Sequence, residues 1–186
     1  MVIPDEIKLK AIYIDRDGCI NKLSDKSRYV SKIDDFHIYD DAIQFLNYFI
    51  PFNIEIAIVT NQQGIALGKV SQEFIEIAHQ NVCEKCNTTS NRIKLYVCPH
   101  LESTCLCRKP KPGLLLRAAA NAGLLPSECV FIGDSMTDYE AAKAAGMIFI
   151  GIDRDCKGIF DSVGIEAYLN LFELLEHENI LNSFLT

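Results

Sequence analysis

The chain has 186 residues, enough to bury roughly 70% of the surface its unfolded form exposes, so one core suffices without staples. Hydrophobic residues make up 49% and charged residues 23%, which excludes intrinsic disorder, and no apolar run is long enough to cross a bilayer. Eighteen Lys+Arg against 25 Asp+Glu, a formal charge of −7, argues against a general electrostatic grip on nucleic acid or anionic lipid, so any phosphate must be met by a local device. The opening MVIPDEIKLK lacks the basic start and apolar run of a signal peptide, and a cytoplasmic location is expected. Eight cysteines in that setting read as metal ligands, catalytic thiols or small core residues before disulfides.

In chain order, short and nearly continuously apolar segments alternate with longer segments of helical period. Ala11 to Asp15, Ile54 to Val59, Ile93 to Val97, Cys129 to Ile132 and Met147 to Ile150 have the β-branched and aromatic character of buried parallel strands. Asp41 to Ile50 and Ser71 to Cys86 read as amphipathic helices, the second with Ser71 as N-cap. Pro112 to Ala122 is a third helix closed by Gly123; a capping box of Thr137 and Glu140 opens a fourth, Asp138 to Ala145, closed by Gly146. Tyr168 to Glu176 is a fifth. No repeat or linker interrupts the pattern, so residues 1–186 read as one α/β domain whose mostly parallel sheet lies between helices and whose ligands sit beyond the carboxyl ends of the strands.

Four strand-end or loop signals stand where that rule looks. The first strand leaves the sheet through Asp15-Arg16-Asp17-Gly18; if the chain stays extended, alternation aims both carboxylates at one site. The second ends in Thr60-Asn61-Gln62-Gln63-Gly64, a hydroxyl, an amide and successive backbone N–H groups able to hold phosphoryl oxygens. Arg108-Lys109-Pro110-Lys111-Pro112-Gly113 stiffens cationic side chains with proline. The fourth strand ends in Gly133-Asp134-Ser135-Met136-Thr137-Asp138, a second acid pair at a helix start, where Asp138 has the alternative of simple capping. Acids ending a strand, a polar turn and a solvated loop are the plain alternatives for each alone; their conjunction in this order is what carries weight.

With these motifs, the sequence resembles the haloacid dehalogenase superfamily of phosphotransferases, over about residues 10 to 153. The resemblance implies a Rossmann-like core and a Mg²⁺-dependent phosphomonoester hydrolase. Mg²⁺ would be held by the carboxylates of Asp15 and Asp134 and the backbone carbonyl of Asp17, since this hard cation takes oxygen ligands. Asp15 would attack phosphorus to form an aspartyl phosphate and Asp17 would act as general acid and base. Thr60, Asn61 and Lys109 would hold phosphoryl oxygens, with Asp138 in support. Residues 16–38 would form a flap over the site in place of a separate cap domain, with Asn21 of the flap and Arg108 contacting the non-reacting part of the substrate.

Cys98-Pro99-His100 followed by Cys105-Leu106-Cys107 places three thiolates and an imidazole within ten residues, which matches a closed tetrahedral Zn²⁺ site. Such a site leaves no position for substrate, so the zinc is expected to be structural, fixing loop 98–107 ahead of Arg108 and Lys109. The combination resembles a zinc-containing branch of the superfamily that acts on heptose bisphosphate or histidinol phosphate. It implies a small phosphorylated metabolite, a sugar bisphosphate first and histidinol phosphate as the alternative. Leu67 and Ser135 depart from the heptose pattern, where Arg and Lys are usual. A non-catalytic zinc-stabilised binding protein is the alternative from another class, although Asp15, Asp17, Lys109 and Asp134 are all retained. Cys83 and Cys86 are assigned to packing, as are Cys19, Cys129 and Cys156. A monomer without nucleic-acid or membrane partners is expected.

Overall fold

The computed structural model describes residues 8–24 and 29–177. Six parallel strands form one sheet in the order β3-β2-β1-β4-β5-β6: β1 (Ala11–Ile14), β2 (Glu55–Asn61), β3 (Ile93–Cys98), β4 (Cys129–Gly133), β5 (Ile148–Ile152) and β6 (Ala167–Tyr168). The helices are α1 (Asp40–Phe49), α2 (Gln72–Lys85), α3 (Gly113–Ala122), α4 (Met136–Ala145) and α5 (Leu171–Leu175). From β1 the chain fills the sheet outward to β3, then returns to the other side of β1 for β4 to β6. That reversal opens a crevice beyond the carboxyl ends of β1 and β4, where doubly wound sheets place their ligands.

Side-chain alternation divides the core in two. Ile12, Ile14, Ile56, Ile58, Val130 and Ile132 face one layer with Phe45 and Phe49 of α1 and Ile75 and Val82 of α2. Ala11, Tyr13, Ala57, Val59 and Phe131 face the other, against Leu115 and Ala118 of α3 and Ala141 and Ala142 of α4. Each central strand is therefore apolar on both faces, as expected of a sheet covered by helices on both sides.

Most element ends shift by a residue or two from the sequence reading, and three of the differences bear on the argument. β2 runs on to Asn61 because Thr60 and Asn61 pair with Val97 and Cys98, so the first two residues of the polar signal lie inside the ladder and the turn takes in Gln63 and Gly64. The fourth helix begins at Met136 with Ser135 as N-cap, and its capping box is Ser135 with Asp138, not Thr137 with Glu140. Residues 167–168 pair with β5, leaving only Leu171–Leu175 as helix, capped by Asn170; the longer helix expected from Tyr168 is corrected accordingly. Ser71 caps α2 as expected, its hydroxyl accepting from the Phe74 N–H at 3.0 Å.

Candidate active site

β1 stops at Ile14, one residue before the first acid, although the Asp15 N–H still donates to the Ile132 carbonyl at 2.9 Å. The extended geometry assumed for the two acids ends there: Arg16 lies in a turn, and an isolated bridge joins Asp17 to Asn21. The two carboxylates consequently meet different partners. Asp15 reaches Lys109 Nζ at 2.7 Å and shares a cluster with Asp134 and Asp138, whose ligand oxygens all lie within 4.8 Å of one another. Asp17 is held instead by Arg16 Nη2 at 2.9 Å from both oxygens, Asn21 Nδ2 at 3.0 Å and Gln62 Nε2 at 2.7 Å.

Lys109 is buried, and its three ammonium hydrogens have three acceptors: Asp15, Asp138 Oδ1 at 2.6 Å and the Val59 carbonyl at 3.1 Å. Its backbone is clamped by Asn61, which accepts from the Lys109 N–H at 3.1 Å and donates to its carbonyl at 3.0 Å. The Asn61 carboxamide, expected on phosphate, thus serves to seat the lysine loop, while its backbone remains in the ladder. Thr60, also buried, accepts from Gln62 Nε2 at 2.8 Å. Asp138 answers both readings given to it: Oδ2 takes the Ser135 hydroxyl at 2.6 Å as a helix cap, while Oδ1 pairs with Lys109.

Electrostatics separate the two acids further. Burial pushes the Asp15 carboxyl up to about 7, against the pull of Lys109 and with help from Asp138 and Asp17. Burial and the charges of Asp15 and Asp138 push Asp134 up to about 8. Burial would raise Asp17 too, but the adjoining Arg16 charge and the hydrogen bonds from Arg16, Asn21 and Gln62 outweigh it and hold Asp17 below its ordinary value. One buried ammonium cannot neutralise three acids, so the chemistry of the Asp15–Asp134–Asp138 donor set fits a hard divalent cation.

Gly18 explains how Asp134 comes so near the first strand. A Cβ at Gly18 would lie 1.8 Å from Asp134 Oδ2, and its φ is +96°, so both the close approach and the backbone demand glycine. The same turn is fastened by a residue that sequence reading missed. Arg154, just beyond β5, donates to the carbonyls of Gly18 and Cys19 at 3.0 and 2.9 Å, pairs with Asp41 at 2.9 Å, and lies 3.6 Å over the Tyr39 ring. Its position at a strand end was the signal that could have found it.

Asn21, expected on substrate, is wholly buried, with its amide nitrogen donating to Asp17 and the Lys22 carbonyl. Its amide is thereby committed to holding Asp17 and the turn, and not turned toward the cavity that Arg108 lines. Arg108 lines a cavity of about 370 Å³ beside Asn61, Lys109, Lys111 and Thr137. Of the flap, residues 25–28 lie outside the described residues; a bridge joins its Asn21 to Ile38 at its end.

In the loop ahead of Arg108, Cys98, His100, Cys105 and Cys107 converge. Cys107 Sγ lies 3.4 Å from Cys98 Sγ, 3.3 Å from Cys105 Sγ and 3.3 Å from His100 Nδ1, and Cys98 Sγ lies 3.7 Å from both His100 Nδ1 and Cys105 Sγ. Metal–sulfur bonds of about 2.3 Å put the corners of a tetrahedron about 3.7 Å apart, so this set is compatible with a soft tetrahedral ion. The Lys111 ammonium donates to the Cys105 carbonyl at 2.6 Å, joining this loop to the segment after Lys109. Cys83 of α2 and Cys86 at its end are buried in the layer between the sheet and α1 and α2, and Cys19 and Cys129 are buried also, but Cys156 is exposed. Its assignment to packing is corrected: it lies in the loop beyond β5 with φ +53°.

A haloacid dehalogenase-like hydrolase model matches residues 10–146, which covers every member of the carboxylate cluster. The chain belongs to that family. Among curated relatives of this hydrolase, D-glycero-alpha-D-manno-heptose-1,7-bisphosphate 7-phosphatase of Campylobacter jejuni is 37% identical, over 91% of this chain and 95% of its own. D-glycero-beta-D-manno-heptose-1,7-bisphosphate 7-phosphatase of Pasteurella multocida is 33% identical, over 73% of this chain and 77% of its own. The fold matches that of D,D-heptose 1,7-bisphosphate phosphatase from B. bronchiseptica, crystallised with magnesium and phosphate, with a TM-score of 0.77 at 23% identity, covering 90% of this chain and 97% of that one. Among the described residues, no helix of the hydrolase is long and apolar enough to cross a membrane.

Proposed function

We propose that this hydrolase removes the 7-phosphate of D-glycero-D-manno-heptose 1,7-bisphosphate by phosphoryl transfer to Asp15. The observation that carries the chemistry is the buried Asp15–Lys109 pair, at 2.7 Å, inside a cluster with Asp134 and Asp138 at the crevice between β1 and β4. The observation that favours the substrate is the series of curated relatives at 30 to 37% identity that carry this activity.

Asp15 and Asp134 would hold Mg²⁺, together with the backbone carbonyl of Asp17. Bound there, the cation would neutralise phosphoryl oxygens and the developing charge. Asp138 is committed to Lys109 and Ser135 and acts in support. Thr60 and the backbone N–H groups beyond β2 are the phosphoryl cradle. A carboxylate oxygen of Asp15 attacks phosphorus as the bond to the sugar oxygen breaks, and Asp17 gives its proton to that departing oxygen. The dianionic substrate supplies the like charge that raises Asp17 from its depressed resting value and lets it carry the proton. Asp17 then takes a proton from the water that attacks the aspartyl phosphate, releasing phosphate and regenerating Asp15. Arg108, at the cavity wall, faces the rest of the substrate and suits its second phosphate.

The Cys98, His100, Cys105 and Cys107 set would hold a structural Zn²⁺ that fixes the segment delivering Arg108 and Lys109. A phosphate-release panel under Mg²⁺ tests the substrate: both anomers of heptose bisphosphate, histidinol phosphate and common hexose phosphates. Heptose bisphosphate is expected to give the highest kcat/KM; histidinol phosphate in first place would overturn the assignment. Asp15→Asn is expected to abolish release while leaving zinc content and fold unchanged, and undiminished turnover would remove Asp15 as nucleophile.

A further inference from the structure

Asp17 is gripped by side chains from two parts of the fold. Arg16 and Asn21 belong to its own turn and move with it. Gln62 comes from the end of β2, 45 residues away in sequence, and its amide nitrogen donates to both Asp17 Oδ2 at 2.7 Å and Thr60 Oγ1 at 2.8 Å. A carboxamide NH₂ carries two hydrogens, so both bonds form at once. The residue is buried, and its backbone N–H is fixed by the Cys98 carbonyl at 2.7 Å. Its NH₂ group therefore has no hydrogen left for another partner.

We infer that Gln62 is a positioning residue for proton transfer, setting the acid Asp17 in register with the phosphoryl cradle at Thr60. The inference rests on the reading of Asp17 as general acid. In the step it serves, the bond from phosphorus to the sugar oxygen breaks with its electron pair on that oxygen, which takes the Asp17 proton while Asp15 gains the bond to phosphorus. In the first half-reaction, which kcat/KM reports, a misplaced acid harms only substrates whose leaving oxygen needs that proton; the later base role of Asp17 is common to all substrates. A sugar alkoxide does; p-nitrophenolate departs unprotonated. Arg16 and Asn21 can keep Asp17 ordered within its turn, but neither spans from β1 to β2.

Gln62→Met keeps size and loses both bonds. On heptose bisphosphate its kcat/KM is expected to fall at least about tenfold more than on p-nitrophenyl phosphate, against the 10²- to 10⁴-fold typical of losing general acid catalysis outright, with Asp17→Asn showing the same selectivity more strongly. Equal losses on both substrates, or none, would overturn the inference, because a merely structural defect does not distinguish leaving groups. If Asp17→Asn shows no selectivity, the acid assignment itself fails; if it does and Gln62→Met does not, only the role of Gln62 fails. Should Gln62→Met not fold, Gln62→Ala, which removes both bonds without adding a charge, must show the same selective loss.

Discussion

Gly18→Ala tests the geometry of the carboxylate cluster with a single methyl group. The added Cβ would sit 1.8 Å from Asp134 Oδ2 and 2.5 Å from its Cγ, whereas real Cβ contacts essentially never fall below 3.0 Å. Asp134 must withdraw by more than an ångström, or the turn must shift and take Asp17 with it. A displacement of about 1 Å at a reacting centre costs on the order of 10²-fold in rate. The backbone adds its own cost: φ +96° in a non-glycine residue is worth about 1–3 kcal/mol, and at 2–4 °C per kcal/mol for a chain of this size the Tm should fall by roughly 2–12 °C. Gly123→Ala is the control, since Gly123 also has positive φ, +69°, but nothing within 4 Å of its added Cβ. Both variants should lose stability, and only Gly18→Ala should lose phosphate release and demand much higher Mg²⁺. Full turnover with unchanged Mg²⁺ dependence in Gly18→Ala would refute the placement of Asp134 against the first turn.

The raised values of Asp15, about 7, and Asp134, about 8, mean that the metal-free folded state holds more protons than the unfolded state from about pH 4 to 8. Stability without divalent cation should therefore decline as pH rises through that window, and Mg²⁺ binding near pH 7 should release protons and tighten as pH rises; calorimetry in buffers of different ionisation enthalpy that finds no proton release would contradict this. Cys105→Ser should lower both zinc content and Tm, and retention of one zinc per chain would remove Cys105 from the ligand set. Arg154→Met should reduce turnover while leaving zinc content unchanged, because it releases the Gly18 and Cys19 carbonyls and not the cysteine loop; unaltered kcat and Mg²⁺ requirement would show that the turn holds without it.

Chemical identity was already written along the chain. Burial drives continuous apolar strands and periodic helices to their places whatever their neighbours are, so the alternation alone implied a covered parallel sheet and directed attention to Asp15, Thr60 and Asp134 at its strand ends. The four zinc-type ligands could be read because they lie within ten residues, where spacing nearly determines proximity. Partner choice could not be read in this way. Asp15 and Asp17 are two residues apart, yet one meets Lys109 and the other Arg16, Asn21 and Gln62, because a turn at Arg16 ends the strand's alternation. The hold of Asn21 on Asp17 could not be read for the same reason: contact across a turn is a property of packing and not of residue type. Arg154 reaches Gly18 from 136 residues away, and its hold on the turn exists only once β5 has been laid in the sheet. Local order settled which chemical groups the protein carries; the crossing of distant segments, which follows from the arrangement of the strands, settled which of them face one another.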